Sequence, residues 1–365
     1  MERSVRPLVA SDRLLIVRLG AVGDVLRAIP AVHAIRGTFP RIHLSWMVED
    51  LSFPLIDGHP DVDQTLRFPR RELGAWRRPW VAADHLSRLK TALRSQGFTV
   101  ALDLQASFKS GLLTLLSGAA RRVGFSPAHC REMSFVFTNE WVGLTSRWLN
   151  RVERNLEMAQ AVGASTADPR LPLPERPEEG EEAEALLRRL LSGGEPRVLV
   201  SPGASRRQAY KRWPGSHFAR LAARLSRDHA TRLVVVWGPG EEELARSVVA
   251  ASEGGALLAP ATSLRLLAAM LRRASLFVGA DTGPMHLAWA VGCPVVALFG
   301  PTDPRLNAPL GKGHRVFRAS SGKMEDLDPR AVLEGIQKTL VERRTPSPGP
   351  PAGPVAIGGR LRGQG

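Results

Sequence analysis

Asp281, Thr282, Gly283 and His286 lie within six residues of one another in the stretch FVGADTGPMHLAWAVGCPVVALFGPTDP, which runs from Phe277 to Pro304. A carboxylate, a hydroxyl and an imidazole around a glycine can hold an anion or move a proton, provided one turn of backbone presents them together. The flanking residues supply that turn. Ser275 to Val278 reads as a short buried strand, and Gly279 to Gly283 as a small-residue turn. A helix follows, with Pro284 in its first turn, until Gly292 and Pro294 stop it before a second buried strand from Val295 to Phe299. A strand, turn, helix and strand in that order make a βαβ unit, with the helix N-terminus at the carboxyl edge of a parallel sheet. Free N–H groups and the helix dipole favour an anion there, by roughly 0.3–1 kcal/mol for the dipole alone. Asp281 or Thr282 can equally serve only as helix caps. The polar loop Gly300-Pro301-Thr302-Asp303 after the next strand converges on the same edge.

Asp24 is the second acid placed for chemistry. The apolar run Leu14 to Leu19 reads as a strand, Gly20-Ala21-Val22-Gly23-Asp24 as its loop, and Val25, Ile29, Val32 and Ile35 recur at helical spacing. A carboxylate at the carboxyl end of a first strand is well placed as a general base, or it is simply a helix cap. The G-x-x-G spacing matches neither the dinucleotide turn G-x-G-x-x-G nor a P-loop, which disfavours a nicotinamide-dependent dehydrogenase.

These two units sit in a chain of 365 residues, long enough for two cores. Its 44% hydrophobic and 23% charged residues are an ordinary globular composition. Cys130 and Cys293 lie far apart without metal-ligand spacing, which points to a reducing compartment and no disulfide framework; no metal and no cofactor are expected. No apolar run approaches the ~18 residues of a membrane span, so a cytoplasmic protein is expected. A net charge of +15 calls for an anionic partner. Nucleic acid is disfavoured because no zinc-finger spacing, RNP-type aromatic motif or long basic run is present.

Further strands are expected at Ile42 to Val48, Val62 to Phe68, Val100 to Leu104 and Arg121 to Phe125. Arg67, Arg70, Arg71, Arg77 and Arg78 alternate with Trp76 and Trp80, a mixture suited to an anionic sugar, a phosphate or a membrane interface, or to a solvated loop. Lys109 and Arg131 add positive charge to this half. The Pro- and Glu-rich region around residues 166–195 reads as an interdomain linker. The α/β rhythm then resumes. Strand Val198 to Val200 leads to the loop Ser201 to Ser205, with Lys211 beyond it, and strand Arg232 to Val236 leads to Trp237 to Gly240 and the run Glu241-Glu242-Glu243. A carboxylate there can accept the hydroxyls of a ribose, or it can simply favour a helix N-terminus. A last helix is expected from Pro329 to about Val341, and the Pro/Gly-rich tail 344–365 reads as disordered.

Three groups of residues together resemble glycosyltransferase family 9, the ADP-heptose:lipopolysaccharide heptosyltransferases. They are Val17 to Leu26, Ser201 to Ser205 with Lys211-Arg212-Trp213-Pro214, and Asp281 to Ala288 followed by Phe299 to Pro304. The resemblance implies an α/β GT-B fold, two Rossmann-like domains with parallel sheets facing across a cleft. It sets an acceptor domain at 12–165, a linker at 166–195 and a nucleotide-sugar domain at 196–322, with a C-terminal helix at 323–343 packing back on the first domain. It implies inverting transfer from ADP-heptose to Kdo-lipid A with Asp24 as base and no metal. Donor contacts fall on Ser205, Lys211, Glu242, Asp281, Thr282, Gly283 and His286, and acceptor contacts on Gly23, Arg70, Arg71, Lys109 and Arg131. It also implies peripheral contact with the cytoplasmic face of the inner membrane. Asp103 to Ser110 and Arg131-Glu132 are closest to the type that adds the first heptose. Arg27, however, stands where those enzymes often carry histidine, and Gly20 and Ala21 stand where many members carry hydroxyl residues. Other readings are a family member with a different donor or acceptor, including the second heptose transfer, and a basic nucleic-acid or membrane-surface binding protein without catalysis.

Overall fold

A computed structural model describes residues 5–69, 79–166, 171–191 and 193–344, without the side chains of 79–83 and 343–344. Arg70, Arg71, Trp76, Arg77, Arg78 and the tail from 345 lie outside the described residues, as does the side chain of Trp80. The chain divides into two units between Pro174 and Glu175.

The first unit is built on six strands: β1 (Arg13–Val17), β2 (His43–Glu49), β3 (Gln64–Phe68), β4 (Val100–Asp103), β5 (Arg121–Phe125) and β6 (Glu140–Val142). All pair in parallel, in the order β3-β2-β1-β4-β5-β6. Leu14 to Val17 and Val100 to Leu102 are fully buried, as continuous apolar runs must be when helices cover both faces of a sheet. Leu15, Val17, Met47, Phe68, Phe98 and Leu113 make up much of one core beside it.

The second unit repeats the plan with β7 (Val198–Ser201), β8 (Leu233–Val235), β9 (Ala256–Leu258), β10 (Leu276–Ala280), β11 (Val295–Phe299) and β12 (Arg315–Arg318). Its order, β12-β11-β10-β7-β8-β9, is the first sheet's order read from the opposite edge, and again every pair is parallel. In both sheets the winding direction reverses at one pair, β1 with β4 and β7 with β10. There the crossovers leave to opposite faces and a crevice opens at the strands' carboxyl ends.

One boundary expectation changes, and the last helix is seen to pack within the second unit. The helix Pro177–Leu190, expected within the linker, is an element of the second unit: it packs on the helix Leu264–Arg272, burying Ala183, Leu186 and Leu187, while Glu179 pairs with Arg265. The last helix, Pro329–Arg344, expected to pack back on the first domain, buries Val332, Leu333 and Ile336 in the second unit's core with Phe218 and Val296. Its apolar stripe is satisfied there. Strands β6, β9 and β12 were not legible in the sequence, since each has only three or four residues and β12 holds just two apolar residues between two arginines.

Burial holds two imidazoles far below their ordinary value. His59, with Asp61 N–H donating to its Nδ1 at 3.2 Å, falls to about 4 despite the nearby Asp61 carboxylate, and His314 falls to about 4 by burial alone. In the unfolded chain both return to the ordinary 6.5. Between those values the unfolded state binds more protons, so stability is full above the upper value and is lost as pH falls toward the lower, by up to roughly 3 kcal/mol per histidine. Urea unfolding should therefore show a lower midpoint at pH 4.5 than at pH 7.5, with a smaller difference in His59→Gln. Equal midpoints would refute this.

Candidate active site

In the first unit a short loop joins the end of β1 at Val17 to the helix Val22–Leu26, which has Ala21 as its N-cap and Asp24 in its first turn. Asp24 does not cap that helix. Its Oδ1 takes a charge-assisted bond from the Arg27 guanidinium and lies 3.0 Å from Arg18 Nη2. Arg18 is itself buried and donates to the Leu104 carbonyl at 2.6 Å, which ties the β1 loop to the end of β4. Burial lowers its pKa, with Asp24 acting in the opposite direction. Gly23 is buried beside Asp24, and its carbonyl accepts from Arg27 Nε at 3.1 Å.

Across the reversal point Asp103 ends β4. Its carboxylate accepts from the N–H groups of Gln105 and Ala106 at 2.9 and 3.0 Å and from Ser110 Oγ at 3.0 Å. Burial pushes its pKa up against those bonds. This network fixes the start of the helix Phe108–Leu116, from which Lys109 reaches Glu49 at 2.6 Å and lies over the Phe68 ring. Arg131 donates its N–H to the Ala106 carbonyl at 3.0 Å and leaves its side chain exposed.

Arg151 and Arg154 were not singled out in the sequence. Arg154 lies 4.0 Å over the Phe125 ring and donates to the His129 carbonyl at 2.7 Å. Burial, then the charges of Arg151, Arg18 and Arg131, bring its pKa down to about 10. Burial, then Arg131 and Arg27, lowers that of Arg151 as well. Five guanidinium groups thus feel one another around Asp24 and Asp103. The signal that could have found the pair is the i,i+3 spacing of arginines opening the helix Arg151–Ala161.

In the second unit Asp281 follows β10. Its Oδ2 takes Lys211 Nζ at 3.1 Å, its Oδ1 lies 3.1 Å from His286 Nε2, and its carbonyl takes Lys211 again at 3.1 Å. Asp281, Thr282 and His286 are buried. Thr282 stands at the N-cap of the helix Gly283–Ala290, yet no side chain caps that helix; its hydroxyl donates to the Ala280 carbonyl at 3.3 Å. The capping alternative therefore fails for Thr282, the residue at the N-cap, and the N–H groups of a helix's first turn favour an anion. Opposite, at the end of β7, Ser201 Oγ is buried without a hydrogen-bond partner, and Ser205 is exposed at the start of the turn Arg206–Lys211.

Among the three glutamates, Glu242 turns to Arg246 along its own helix at 2.6 Å. It is Glu241 whose carboxylate accepts from Gly238 N–H at 3.0 Å and occupies the space where a Cβ on Gly203 would stand. Glu241, rather than Glu242, thus reaches the loop after β7. Gly203→Ala should force that carboxylate, the far end of a flexible side chain, away from Gly238 N–H and cost about 1 kcal/mol, the worth of that bond. Because the clash involves Glu241, Gly203→Ala/Glu241→Ala should be less destabilised than the sum of the singles in denaturant titrations. Strict additivity would exclude the contact.

Two doubly wound parallel sheets with charged groups gathered at each reversal point define a GT-B protein. The family described as glycosyltransferase family 9 (heptosyltransferase) matches residues 86–336. Lipopolysaccharide heptosyltransferase 1 of Escherichia coli strain K12 is 30% identical over 333 residues, spanning 89% of this chain and 99% of its own. Lipopolysaccharide heptosyltransferase 2 of the same strain is 27% identical over 360 residues, spanning 90% and 99%. A solved structure of the E. coli heptosyltransferase WaaC with ADP superimposes with a TM-score of 0.75 at 27% identity, covering 90% of this chain and 99% of that one. The chain belongs to glycosyltransferase family 9, the heptosyltransferases, and is a glycosyltransferase.

Proposed function

We propose that this chain transfers heptose with inversion from ADP-L-glycero-D-manno-heptose to Kdo-lipid A in the lipopolysaccharide inner core, at the cytoplasmic face of the inner membrane. The observation that carries the reading is Asp24, an uncapping carboxylate at the reversal point of the first sheet, oriented by Arg18 and Arg27. Asp24 accepts the proton of the acceptor hydroxyl as its oxygen bonds to the anomeric carbon. The bond from that carbon to the diphosphate breaks on the opposite face, and ADP leaves with the electron pair. A positioned carboxylate contributes roughly 10²–10⁴-fold to such a step.

On the donor side, Lys211 and the first-turn N–H groups after Gly283 meet the charge that grows on the departing ADP. In the resting chain Lys211 is neutralised by Asp281, and His286 holds the other oxygen of that carboxylate, so the lysine is kept in place until a diphosphate competes for it. Ser205 belongs to the same sheet edge. Glu241 is assigned to the ribose in place of Glu242, because its carboxylate reaches the β7 loop. The WaaC structure holds ADP, which supports a nucleotide-sugar donor here.

On the acceptor side, Gly23, Lys109 and Arg131 keep their assignment, Arg70 and Arg71 remain proposed contacts, and Arg151 and Arg154 join them. Like charges held together at partial burial repel one another, and an acceptor bearing carboxylates or phosphates relieves that repulsion. The likeness to lipopolysaccharide heptosyltransferase 2, 27% identical over 90% of this chain, favours the second heptose transfer as the second reading.

Release of ADP from ADP-heptose with a heptose-free Kdo-lipid A acceptor tests the reaction. Asp24→Asn should lose about 100-fold or more in rate with donor affinity retained; full activity would return Asp24 to a structural role. Arg154→Ala should raise the acceptor KM about tenfold or more and leave ADP affinity unchanged. An unchanged acceptor KM would remove Arg154 from the acceptor site.

A further inference from the structure

In the second unit the helix Gly215–His229 and the start of the helix Pro329–Arg344 border a pocket of about 220 Å³. Its floor is apolar, formed by Leu221 and Leu333, both buried in the core. Its walls carry Arg220 and Arg224 on the first helix and Asp328 and Arg330 at the start of the second. Arg220 and Arg224 stand at i and i+4, so they are neighbours on a single helix face. The pocket is lined by none of Lys211, Asp281 and His286, and the proposed transfer makes no use of it.

Three guanidinium groups line this space with one carboxylate. That carboxylate is already engaged, because Asp328 Oδ1 accepts the Arg330 N–H at 2.8 Å and so caps its own helix. One of the first-turn N–H groups is thereby satisfied, and the attraction for an anion comes from the arginines. Arg220 Nε donates to the Ser216 carbonyl at 3.3 Å, while among the described residues the guanidinium groups of Arg224 and Arg330 have no partner. The excess of positive charge reaches His217, whose pKa is lowered by burial first and then by Arg220, with Asp328 opposing.

The backbone that carries these groups is fixed before any ligand arrives. Trp213, itself buried, donates from Nε1 to the Leu327 carbonyl at 3.0 Å, and Val332, Leu333 and Ile336 anchor the second helix in the core. A preformed site spares part of the ordering cost of binding. The volume lies below the roughly 300–1,000 Å³ of pockets that take drug-sized ligands, so it suits a small ion and not a second nucleotide sugar. A single guanidinium is enough to pair a carboxylate through two parallel bonds. Three of them around one space match a group with more oxygens and a second charge, which is a phosphoryl group. We infer that Arg220, Arg224 and Arg330 form a binding site for a phosphoryl group, carried by inorganic phosphate or by a small soluble phosphate monoester. The site is separate from the donor groups and does not depend on the transfer reading.

Isothermal titration of the full chain saturated with ADP, with inorganic phosphate in one experiment and glycerol 3-phosphate in another, tests it while the proposed donor groups are occupied. The wild type should bind at least one of the two with a Kd of about 1 mM or below, and sodium chloride at equal ionic strength should not reproduce the heat. Tighter binding of inorganic phosphate identifies the free ion as the occupant; tighter binding of glycerol 3-phosphate places a carbon chain on the floor of Leu221 and Leu333. Arg224→Ser/Arg330→Ser should weaken the binding about tenfold or more, with the ADP affinity and the thermal unfolding midpoint in phosphate-free buffer unchanged. If the double variant fails to fold, Arg224→Glu alone should still weaken binding. The inference is overturned if neither anion binds, if chloride reproduces the heat, or if the variants bind as the wild type does. Should ADP itself not bind, the donor reading falls alone, since loss of phosphate binding in the variants still upholds this site.

Discussion

Parallel pairing at a reversal of winding is the constraint from which the rest of the molecule follows. Once β1 lies between β2 and β4, its crossovers must leave toward opposite faces, and no connection can cover the carboxyl ends of that central pair. Asp24 and Asp103 occupy those two ends. The same constraint acts on β7 and β10, where the loop Ser201 to Ser205 and the Asp281-Thr282-Gly283 turn fall together. Gly279 stands opposite Ser201 in the register, so the two loops leave the sheet at the same level. Neither arrangement requires the charged side chains to stabilise the sheet. Each sheet is held by its buried aliphatic strands, which frees the loops to carry groups chosen for chemistry.

The two reversal points differ in electrostatic character. In the second unit the charges close on themselves, with lysine, carboxylate and imidazole in mutual contact at low exposure. That arrangement is ordered before any ligand arrives, which limits the ordering cost of binding a diphosphate. In the first unit the balance is left uneven. Arginines 18, 27, 131, 151 and 154 gather around two carboxylates, and burial together with mutual repulsion weakens the hold of Arg151 and Arg154 on their protons. An uneven balance of this kind costs stability in the free protein and is relieved by an anion of matching size. It also gives the excess of basic residues a location, which a net charge of +15 alone does not.

Much of this was legible in the residues because it is local. Leu14 to Val17, Phe277 to Val278 and Val295 to Phe299 are legible as strands, since a short continuous apolar run can bury itself in few other ways. The loop-helix junctions after them follow from glycine, proline and small polar residues read in order. Asp24, Lys211, Asp281 and His286 could be named from those junctions. Glu241 could not be separated from its two neighbours, because three successive glutamates at a helix start look alike until the helix's rotation against Gly203 is known.

What the sequence by itself determined, then, is the alternation of strand and helix, the two-unit plan and the chemical type of each switch-point loop, all of which rest on contacts within about twenty residues of chain. Tertiary structure alone decided that Asp24 and Asp281 bond to cations, that Arg154 joins Arg18 across more than a hundred residues, and that the helices Pro177–Leu190 and Pro329–Arg344 are elements of the second unit. The physical reason is the same in each case. A side chain's partner, and the face against which an apolar stripe is buried, depend on which strands become neighbours, and parallel pairing joins strands that are far apart in sequence.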